Sequence, residues 1–428
     1  MSGFVVSLCD PAARDSARFG AKAANQAILA ERGLPTAGGF ALDAAAYRFQ
    51  LEALGLSESA RAVFAASGAE ARREALRLRL GLMEGAIAPE IREALLPLWR
   101  AILASPSREG AVRSSALFED RFGSSFAGQF ESYLGLSSEE DFLTAVRACW
   151  AALWSTRALR YMASRDLDPA ECAMAVVIQP FVKARVSGGG LSRTAEDGMI
   201  LSAARGPGSA IAQGEVVPDH IELDREGRVR RNEAGRTHHE ADCARGHRRH
   251  GRRKAQEKAG APCLEREEAE ELGRLLLGVE ALFAEPVEIE WVKDERGFTL
   301  LQARPLYTRG PEKAPDALWL QHPRLNGQPS GIGWGEGRAC IVNCECELGR
   351  LAPGDILVTQ VAGPALAPVL PLVGGVVAEL GGSTSHLAAL GRERGVPMVL
   401  GVLNATRRIP DGATVAVDAI SGVVRWMR

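Results

Sequence analysis

The sequence predicts an α/β and α+β fold made of two domains joined by a linker. Three observations support this prediction. The chain has 428 residues, enough for two or three domains of ordinary size. Short β-branched runs alternate with amphipathic helical stretches. Residues 311–330 are rich in proline and show little hydrophobic periodicity, so we predict domains at residues 1–310 and 331–428 with a linker between them.

The charge balance and the N-terminus exclude several classes of protein. The chain has 51 basic and 53 acidic residues, a net charge of −2, so no overall field favours nucleic acid or a membrane surface. The first apolar residues are too few for a secretory signal, and no apolar run reaches membrane-spanning length. We therefore expect a cytoplasmic protein whose eight cysteines are reduced thiols.

The first predicted helix begins at Gly20, covers Ala21 to Arg32 and ends at Gly33. Lys22 lies at the start of this helix, where an isolated lysine is usually a solvated charge. Residues 51–105 are rich in alanine and leucine with charges at helical spacing, which predicts scaffold helices.

Arg113 lies in the stretch AVRSSALFEDRFGSSFAGQFESYLG and is predicted at the end of a strand. An arginine there can donate two hydrogen bonds to a phosphate. The alternative is a surface ion pair with Glu119 or Asp120. Residues 144–165 then predict one amphipathic helix with its tryptophans in the core.

Two further strands are predicted to form a hairpin around the turn DERG. The predicted strands are Val287–Lys293 and Phe298–Ala303. Alternation places Glu288 and Glu290 on one face, and pairing is expected to bring Gln302 and Arg304 near them. A carboxylate, a carboxamide oxygen and an arginine suit Mg²⁺ bound against a triphosphate. The alternative is a solvated strand face, above all for Glu288.

A polar, basic stretch covers residues 225–262. Four of its histidines surround Cys243, namely His238, His239, His247 and His250. Imidazole and thiolate are good zinc ligands, but the spacing fits no closed four-ligand pattern. The alternative is a solvated basic segment whose charge helps to bind an anionic ligand.

The last domain is predicted to consist of short strands with one clear helix. A strand from Gly375 to Leu380 leads into a glycine pair, and Thr384 or Ser385 is a natural N-cap. His386 then falls in the first helical turn, where the helix dipole disfavours imidazolium and free N–H groups suit a phosphate. A neutral imidazole is what a histidine nucleophile needs. The alternative is a histidine with a structural hydrogen bond.

The stretch GGSTSHLAALGRERGVPMVLG resembles the phosphohistidine motif of the swivelling domain in the family of phosphoenolpyruvate synthase, pyruvate phosphate dikinase and rifampin phosphotransferase. The resemblance implies that His386 carries a phosphoryl group between two active sites. Four earlier stretches are similar to the ATP-binding domain of the same family. These stretches are RFGAKAANQAILAERGLPTAGGF, the segment around VRSSALFED and SFAGQ, AMAVVIQPFV, and EIEWVKDERGFTLLQARP.

The resemblance implies an ATP-grasp-type nucleotide domain followed by a small swivelling phosphohistidine β/α domain. It also implies ATP and Mg²⁺ as ligands, with Glu290 and Gln302 holding the metal. The implied nucleotide contacts are Lys22, Arg113, Gly128, Ser132, Gln179, Glu290, Gln302 and Arg304.

Some positions depart from the family pattern. Ala21 replaces a glycine and Glu288 replaces an aspartate. The stretch SGGGLSRTAEDG lacks the proline of its relatives, and residues 205–209 lack an acidic residue. We therefore expect differences in the loops near the nucleotide.

The resemblance implies an ATP-dependent, dikinase-type phosphotransferase in which His386 takes the β-phosphoryl group of ATP, giving AMP and phosphate. The expected acceptor is a small molecule, because we expect this chain to leave no room for the large acceptor domain of its relatives. One alternative is a phosphocarrier subunit of a split pyruvate- or phenol-type synthase, with the acceptor domain on a separate subunit. The other alternative is a non-catalytic nucleotide-binding regulatory protein, because the loops near the nucleotide are altered.

Overall fold

The computed structural model describes residues 3–65, 68–119, 130, 132–163, 167, 172–237, 261–306 and 319–427. The chain divides into two compact units. The first contains residues 1–183 with Thr299–Arg304, and the second contains Ala184–Phe298 with residues 305–428. Both units combine sheets with helices, which confirms the mixed α/β class.

The first unit contains five strands and seven helices among its described residues. In chain order they are β1 (Val5–Ser7), α1 (Ser16–Glu31), β2 (Phe40–Leu42), α2 (Ala44–Ala53), α3 (Ser57–Ala65), α4 (Gly68–Glu84), α5 (Pro89–Leu103), β3 (Gly110–Ala116), β4 (Ser132–Leu136), α6 (Glu139–Ala152), α7 (Thr156–Ala163) and β5 (Met174–Pro180). The strands form one antiparallel sheet in the order β1-β2-β5-β3-β4.

Helix α1 is kinked at Gly20, the residue at which the sequence predicts that a helix begins. Gly20 has a φ of +74°, and a Cβ there would lie 2.4 Å from Ser115 Oγ, so only glycine fits. The helix ends at Glu31, just before Gly33 with its φ of +70°, as predicted. The kink lets the start of the helix pack closely against strand β3.

The predicted helix over residues 144–165 is wrong in one respect, because the structure has two helices, α6 and α7, in this region. The break follows Leu153, and the Ser155 hydroxyl accepts a hydrogen bond from the Ala158 backbone N–H in the first turn of α7. The predicted core role of the tryptophans is confirmed, since Trp150 and Trp154 are fully buried.

The second unit begins with a sheet in the order β10-β9-β7-β6-β12-β13. The elements in this part of the unit are β6 (Val186–Leu191), β7 (Met199–Arg205), α8 (Ser209–Ala212), β8 (Val216–Val217), β9 (Asp219–Leu223), β10 (Val229–Glu233), β11 (Arg236–Thr237), α9 (Arg266–Phe283), β12 (Val287–Asp294) and β13 (Gly297–Pro305). Strands β8 and β11 form a separate two-stranded antiparallel sheet. Residues 299–304 of β13 are grouped with the first unit. Strands β12 and β13 confirm the predicted strands on either side of the DERG turn.

An eight-stranded sheet completes the second unit. Its elements are β14 (Arg324–Asn326), β15 (Gln328–Pro329), β16 (Trp334–Val342), β17 (Ile356–Val361), β18 (Gly375–Leu380), α10 (His386–Arg394), β19 (Met398–Leu400), α11 (Ala405–Arg408), β20 (Thr414–Asp418) and β21 (Val423–Met427). The sheet order is β14-β21-β20-β16-β17-β18-β19-β15, with parallel pairing from β16 to β19. A fully buried apolar cluster that includes Val358, Val377 and Val417 lies within this part of the unit.

The sequence places a linker at residues 311–330, but its last part is not a linker in the structure. Residues 324–326 pair with β21 and residues 328–329 pair with β19. The Leu325 side chain is buried, and Gln328 donates a hydrogen bond to the Pro218 carbonyl, so these residues complete the sheet. The two short edge strands β14 and β15 were not predicted, because the segment is rich in proline.

No helix among the described residues is long and apolar enough to span a lipid bilayer. The seven cysteines that lie in the described ranges are free thiols.

Candidate functional site

The strand, turn and helix around His386 have the predicted form. Strand β18 ends at Leu380, and Gly381 follows with a φ of +105°. Ser385 is the N-cap of α10, and its hydroxyl accepts a hydrogen bond from the Ala388 backbone N–H at 3.3 Å. His386 is therefore the first helical residue, and it is half-buried. The local sequence therefore predicts the place of His386 in the helix.

The turn before His386 packs tightly against strand β6. A Cβ on Gly189 would lie 2.6 Å from Thr384 Cβ, and the Ser383 hydroxyl lies 3.4 Å from the Ser202 hydroxyl of β7. Ser383 is fully buried. The glycine-rich segment of β6, which departs from the family pattern, therefore lets this turn approach the backbone of the strand.

Helix α10 is also anchored by a buried ion pair. Arg392 Nη2 lies 3.0 Å from Glu288 Oε2, with side-chain exposures of 5% and 6%. The Nη1 atom of the same guanidinium donates hydrogen bonds to the carbonyls of Ser383 and Ser330, at 2.5 and 3.2 Å. Arg392 thus connects strand β12 to the turn that precedes His386.

Neither Arg392 nor Gly189 was predicted from the sequence. Glu288 was predicted to share a strand face with Glu290, and the alternative of a solvated face is wrong for Glu288, which is 5% exposed. The structure singles out Arg392 by its burial, because it is a buried cation in a helix whose neighbours Leu390 and Gly391 are also buried. A cation in such a position requires a partner. The sequence does not indicate that this partner lies 104 residues earlier.

In the first unit, Lys22 and Arg113 have well-defined partners. Lys22 Nζ lies 2.6 Å from Glu119 Oε1 and donates to the Ser114 carbonyl at 3.1 Å. Lys22 is not a solvated charge, because only 14% of its side chain is exposed. Arg113 Nη1 donates to the Leu301 carbonyl at 2.8 Å. Both cations therefore have partners within the first unit.

The predicted position of Arg113 at a strand end is wrong, since it is the fourth of seven residues in β3. The strand continues because Ser114, Ser115 and Ala116 are buried and pair with β5. Arg113 itself is half-buried, and its Nε lies 3.5 Å from the Ser132 hydroxyl of β4.

The other predicted nucleotide contacts of the first unit differ in their surroundings. Ser132 is exposed at the start of β4. Gln179 is buried in β5 and donates a hydrogen bond to the Gly38 carbonyl at 2.9 Å, which fixes the backbone there. Gly128 lies outside the described residues. A contact of Ser132 or Gln179 with a nucleotide stays a prediction.

The predicted metal ligands have suitable chemistry. Glu290 is half-buried on β12, and Gln302 is 6% exposed on β13. Carboxylate and carboxamide oxygens are ligands that Mg²⁺ accepts, so these donors fit that ion. Arg304, two residues after Gln302 on the same strand, is also buried. Binding of Mg²⁺ and phosphate by these residues stays a prediction.

The histidine cluster around Cys243 lies outside the described residues, so its metal site stays untested. Among the residues with described positions, no group of three or more His, Cys, Asp or Glu side chains is placed to hold a metal ion.

Comparison with known proteins matches the two parts of the chain to two domains. Residues 16–322 match the family described as pyruvate phosphate dikinase, AMP/ATP-binding domain. Residues 351–422 match the family described as PEP-utilising enzyme, mobile domain. His386 and Arg392 lie in the second match, whereas Gly189 and Glu288 lie in the first.

Three curated relatives cover almost the whole chain. A phosphoenolpyruvate synthase of Aeropyrum pernix is 30% identical over 95% of this chain and 56% of that protein. A probable phosphoenolpyruvate synthase of Archaeoglobus fulgidus is 28% identical over 98% of this chain and 58% of that protein. A phosphoenolpyruvate synthase of Pseudomonas aeruginosa is 28% identical over 99% of this chain and 57% of that protein. The chain spans a little more than half the length of these relatives.

The family model for the AMP/ATP-binding domain covers most of the chain, and the match to the mobile domain follows it. The chain therefore belongs to the phosphoenolpyruvate synthase and pyruvate phosphate dikinase family, of which it contains the ATP-binding domain and the phosphohistidine mobile domain.

Proposed function

We propose that this protein transfers a phosphoryl group from ATP to His386 and then to a small-molecule acceptor. The observation that carries the proposal is the packing of the turn Ser383–Thr384–Ser385. It packs against Gly189 in the part of the chain that matches the ATP-binding family, and Arg392 anchors the following helix to Glu288. A histidine that reacts with a bound nucleotide needs a turn and a helix that are held in place in this way.

The proposed chemistry begins with a neutral His386. A ring nitrogen attacks the β-phosphorus, a P–N bond forms, and the bond from that phosphorus to the bridging oxygen of the α-phosphate breaks. AMP leaves with the electron pair. Water then cleaves the β–γ linkage and releases inorganic phosphate, which leaves one phosphoryl group on His386. The acceptor takes that group and restores the imidazole, so ATP, water and acceptor give AMP, phosphate and phosphorylated acceptor.

The protein contributes position and charge in this scheme. Lys22, Arg113 and Arg304 supply cations for the phosphates, and charge neutralisation is the larger part of catalysis in phosphoryl transfer. Glu290 and Gln302 would hold Mg²⁺, which supplies further neutralisation of the phosphates when bound. Ser385 fixes the start of α10, so the imidazole needs little reorganisation.

Selective radiolabelling tests the proposal. The protein is incubated with Mg²⁺ and ATP labelled at either the β- or the γ-phosphorus, then separated from nucleotide. We expect label on the protein from the β position only, and labelled inorganic phosphate from the γ position. Retention of the γ label would identify an ordinary kinase reaction and contradict the proposal.

A second candidate is a phosphocarrier part of a synthase whose acceptor-binding domain is supplied separately. The chain covers only 56–58% of three relatives named phosphoenolpyruvate synthase, which favours this candidate. Phosphorylated protein mixed with pyruvate alone would then retain its phosphoryl group. Direct formation of phosphoenolpyruvate by this chain alone would exclude the candidate.

A further inference from the structure

The second unit contains a cavity of about 760 Å³ whose lining, among the described residues, includes Arg392 of α10 but neither His386 nor a predicted nucleotide contact. Its walls come from strands β6, β7, β9 and β10 on one side and from β14, β15 and residues 330–333 on the other. The volume is in the range of sites that bind small molecules. The cavity is therefore large enough for a metabolite.

The lining of the cavity is strongly cationic. Three glutamates line it, against six arginines: Arg193, Arg230, Arg231, Arg236, Arg324 and Arg392. Clustered guanidinium groups with few carboxylates favour anionic ligands, because each guanidinium can form paired hydrogen bonds with phosphate or carboxylate.

Two of these arginines are available to a ligand. Arg193 pairs with Glu280, Arg231 with Glu233, and Arg392 with Glu288. In contrast, neither Arg230 nor Arg324 makes a hydrogen bond or ion pair with any described residue. Both are exposed. They lie on different sheets, Arg230 on β10 and Arg324 on β14.

Two other polar residues of the lining are largely withdrawn from solvent. His220 is 4% exposed, and its Nδ1 is buried with no hydrogen-bond partner among the described residues, although its Nε2 lies 3.2 Å from Glu222 Oε1. Buried polar atoms without partners are rare. Arg236 is half-buried, its Nη2 donates a hydrogen bond to the Gly401 carbonyl at 2.6 Å, and burial lowers the pKa of its guanidinium. An anionic ligand would offset the burial of this charge.

We infer that this cavity is a binding site for a small molecule with at least two anionic groups, held between Arg230 and Arg324. Phosphate and carboxylate groups share the required chemistry. A ligand held by these two arginines would contact the six-stranded and the eight-stranded sheets, and it would do so without using the predicted nucleotide contacts Lys22 and Arg113.

Calorimetric titration of the full chain at low ionic strength tests this inference, with inorganic pyrophosphate and citrate as separate probes. We expect saturable 1:1 binding of at least one probe. Tighter binding of pyrophosphate would indicate a phosphate ligand, and tighter binding of citrate a carboxylate ligand. The variant Arg230→Ala/Arg324→Ala should bind at least about tenfold more weakly, because it loses two charge-assisted contacts.

A matched variant, Arg79→Ala/Arg92→Ala, removes two exposed arginines from α4 and α5 and should bind like the wild type. Lys22→Ala separates this inference from the proposed function, because it alters the predicted nucleotide site only. Cavity binding should persist in Lys22→Ala even if that variant or the wild type forms no phosphohistidine. Absence of 1:1 binding, equal weakening in both arginine pairs, or loss of binding in Lys22→Ala would overturn the inference.

Discussion

Arg392 of helix α10 and Glu288 of strand β12 form an ion pair of 3.0 Å in which both side chains are almost fully buried. The pair links the helix that begins at His386 to a strand that carries Glu290, a predicted metal ligand. Because Arg392 also holds the Ser383 carbonyl, one guanidinium fixes both the turn and the helix of the proposed carrier.

Breaking this pair from one side should strongly destabilise the second unit. Arg392→Met leaves the Glu288 carboxylate buried without its cation, and such losses cost about 3–5 kcal/mol. Chemical denaturation measures the change. The double variant Glu288→Gln/Arg392→Met should lose less stability than the two single variants lose together, since it leaves no unpaired charge. Additive losses would show that the two residues do not interact.

Gly189→Ala should slow phosphorylation of His386 by about tenfold or more, because the new methyl group would lie 2.6 Å from Thr384 Cβ and displace the turn. ATP binding should change little. The matched control is Gly278→Ala in α9, where a Cβ meets no atom within 4 Å. That control should phosphorylate normally and gain up to about 1 kcal/mol of stability. Equal rates for both variants would contradict the role of Gly189.

Lys22→Met should weaken ATP binding by about tenfold or more, since it removes a cation from the predicted phosphate site. It should also destabilise the first unit, because Glu119 is only 3% exposed and would lose its partner. The double variant Lys22→Met/Glu119→Gln should recover stability without recovering ATP affinity. Recovery of both properties would limit Lys22 to a structural role.

Asp411 should contribute to stability at neutral pH and lose that contribution in acid. A hydrogen bond from the Ile341 backbone N–H, together with the nearby Arg350 guanidinium, lowers the pKa of this carboxyl group. A lowered folded-state pKa stabilises the folded protein above the ordinary aspartate value of about 3.9, and the effect disappears as the pH falls through the folded value.

Denaturation of wild type and Asp411→Asn at pH 7 and pH 3 measures this contribution. The stability difference between the two proteins should be larger at pH 7. Glu52→Gln, which alters an exposed side chain on α2, controls for the loss of one negative charge. A difference that grows at pH 3 would contradict the assignment.

The sequence predicted the elements whose signals are local. Strand β18 and the N-cap at Ser385, one of the two predicted cap residues, follow from short patterns of β-branched residues and a hydroxyl side chain. The kink in α1 also has a local signal, because it lies at Gly20, the glycine at which the sequence predicts a helix start.

Contacts between distant parts of the chain were not predictable in this way. Arg113 was predicted at a strand end, but pairing with β5 extends the strand beyond it. Gly189 and Thr384 are almost two hundred residues apart, so no local pattern reveals their contact. The residues that seat His386 therefore emerge only from the packing of the folded chain.

Intact-mass measurement after incubation with ATP and Mg²⁺ tests the central claim most directly, for wild type and for His386→Ala. We predict an acid-labile gain of one phosphoryl group in the wild type, formed together with AMP, and no gain of mass and no AMP in the variant. A His386→Ala protein that still gains the phosphoryl group, or a wild type that is never phosphorylated while it binds ATP, would contradict the assignment of His386 as the phosphoryl carrier.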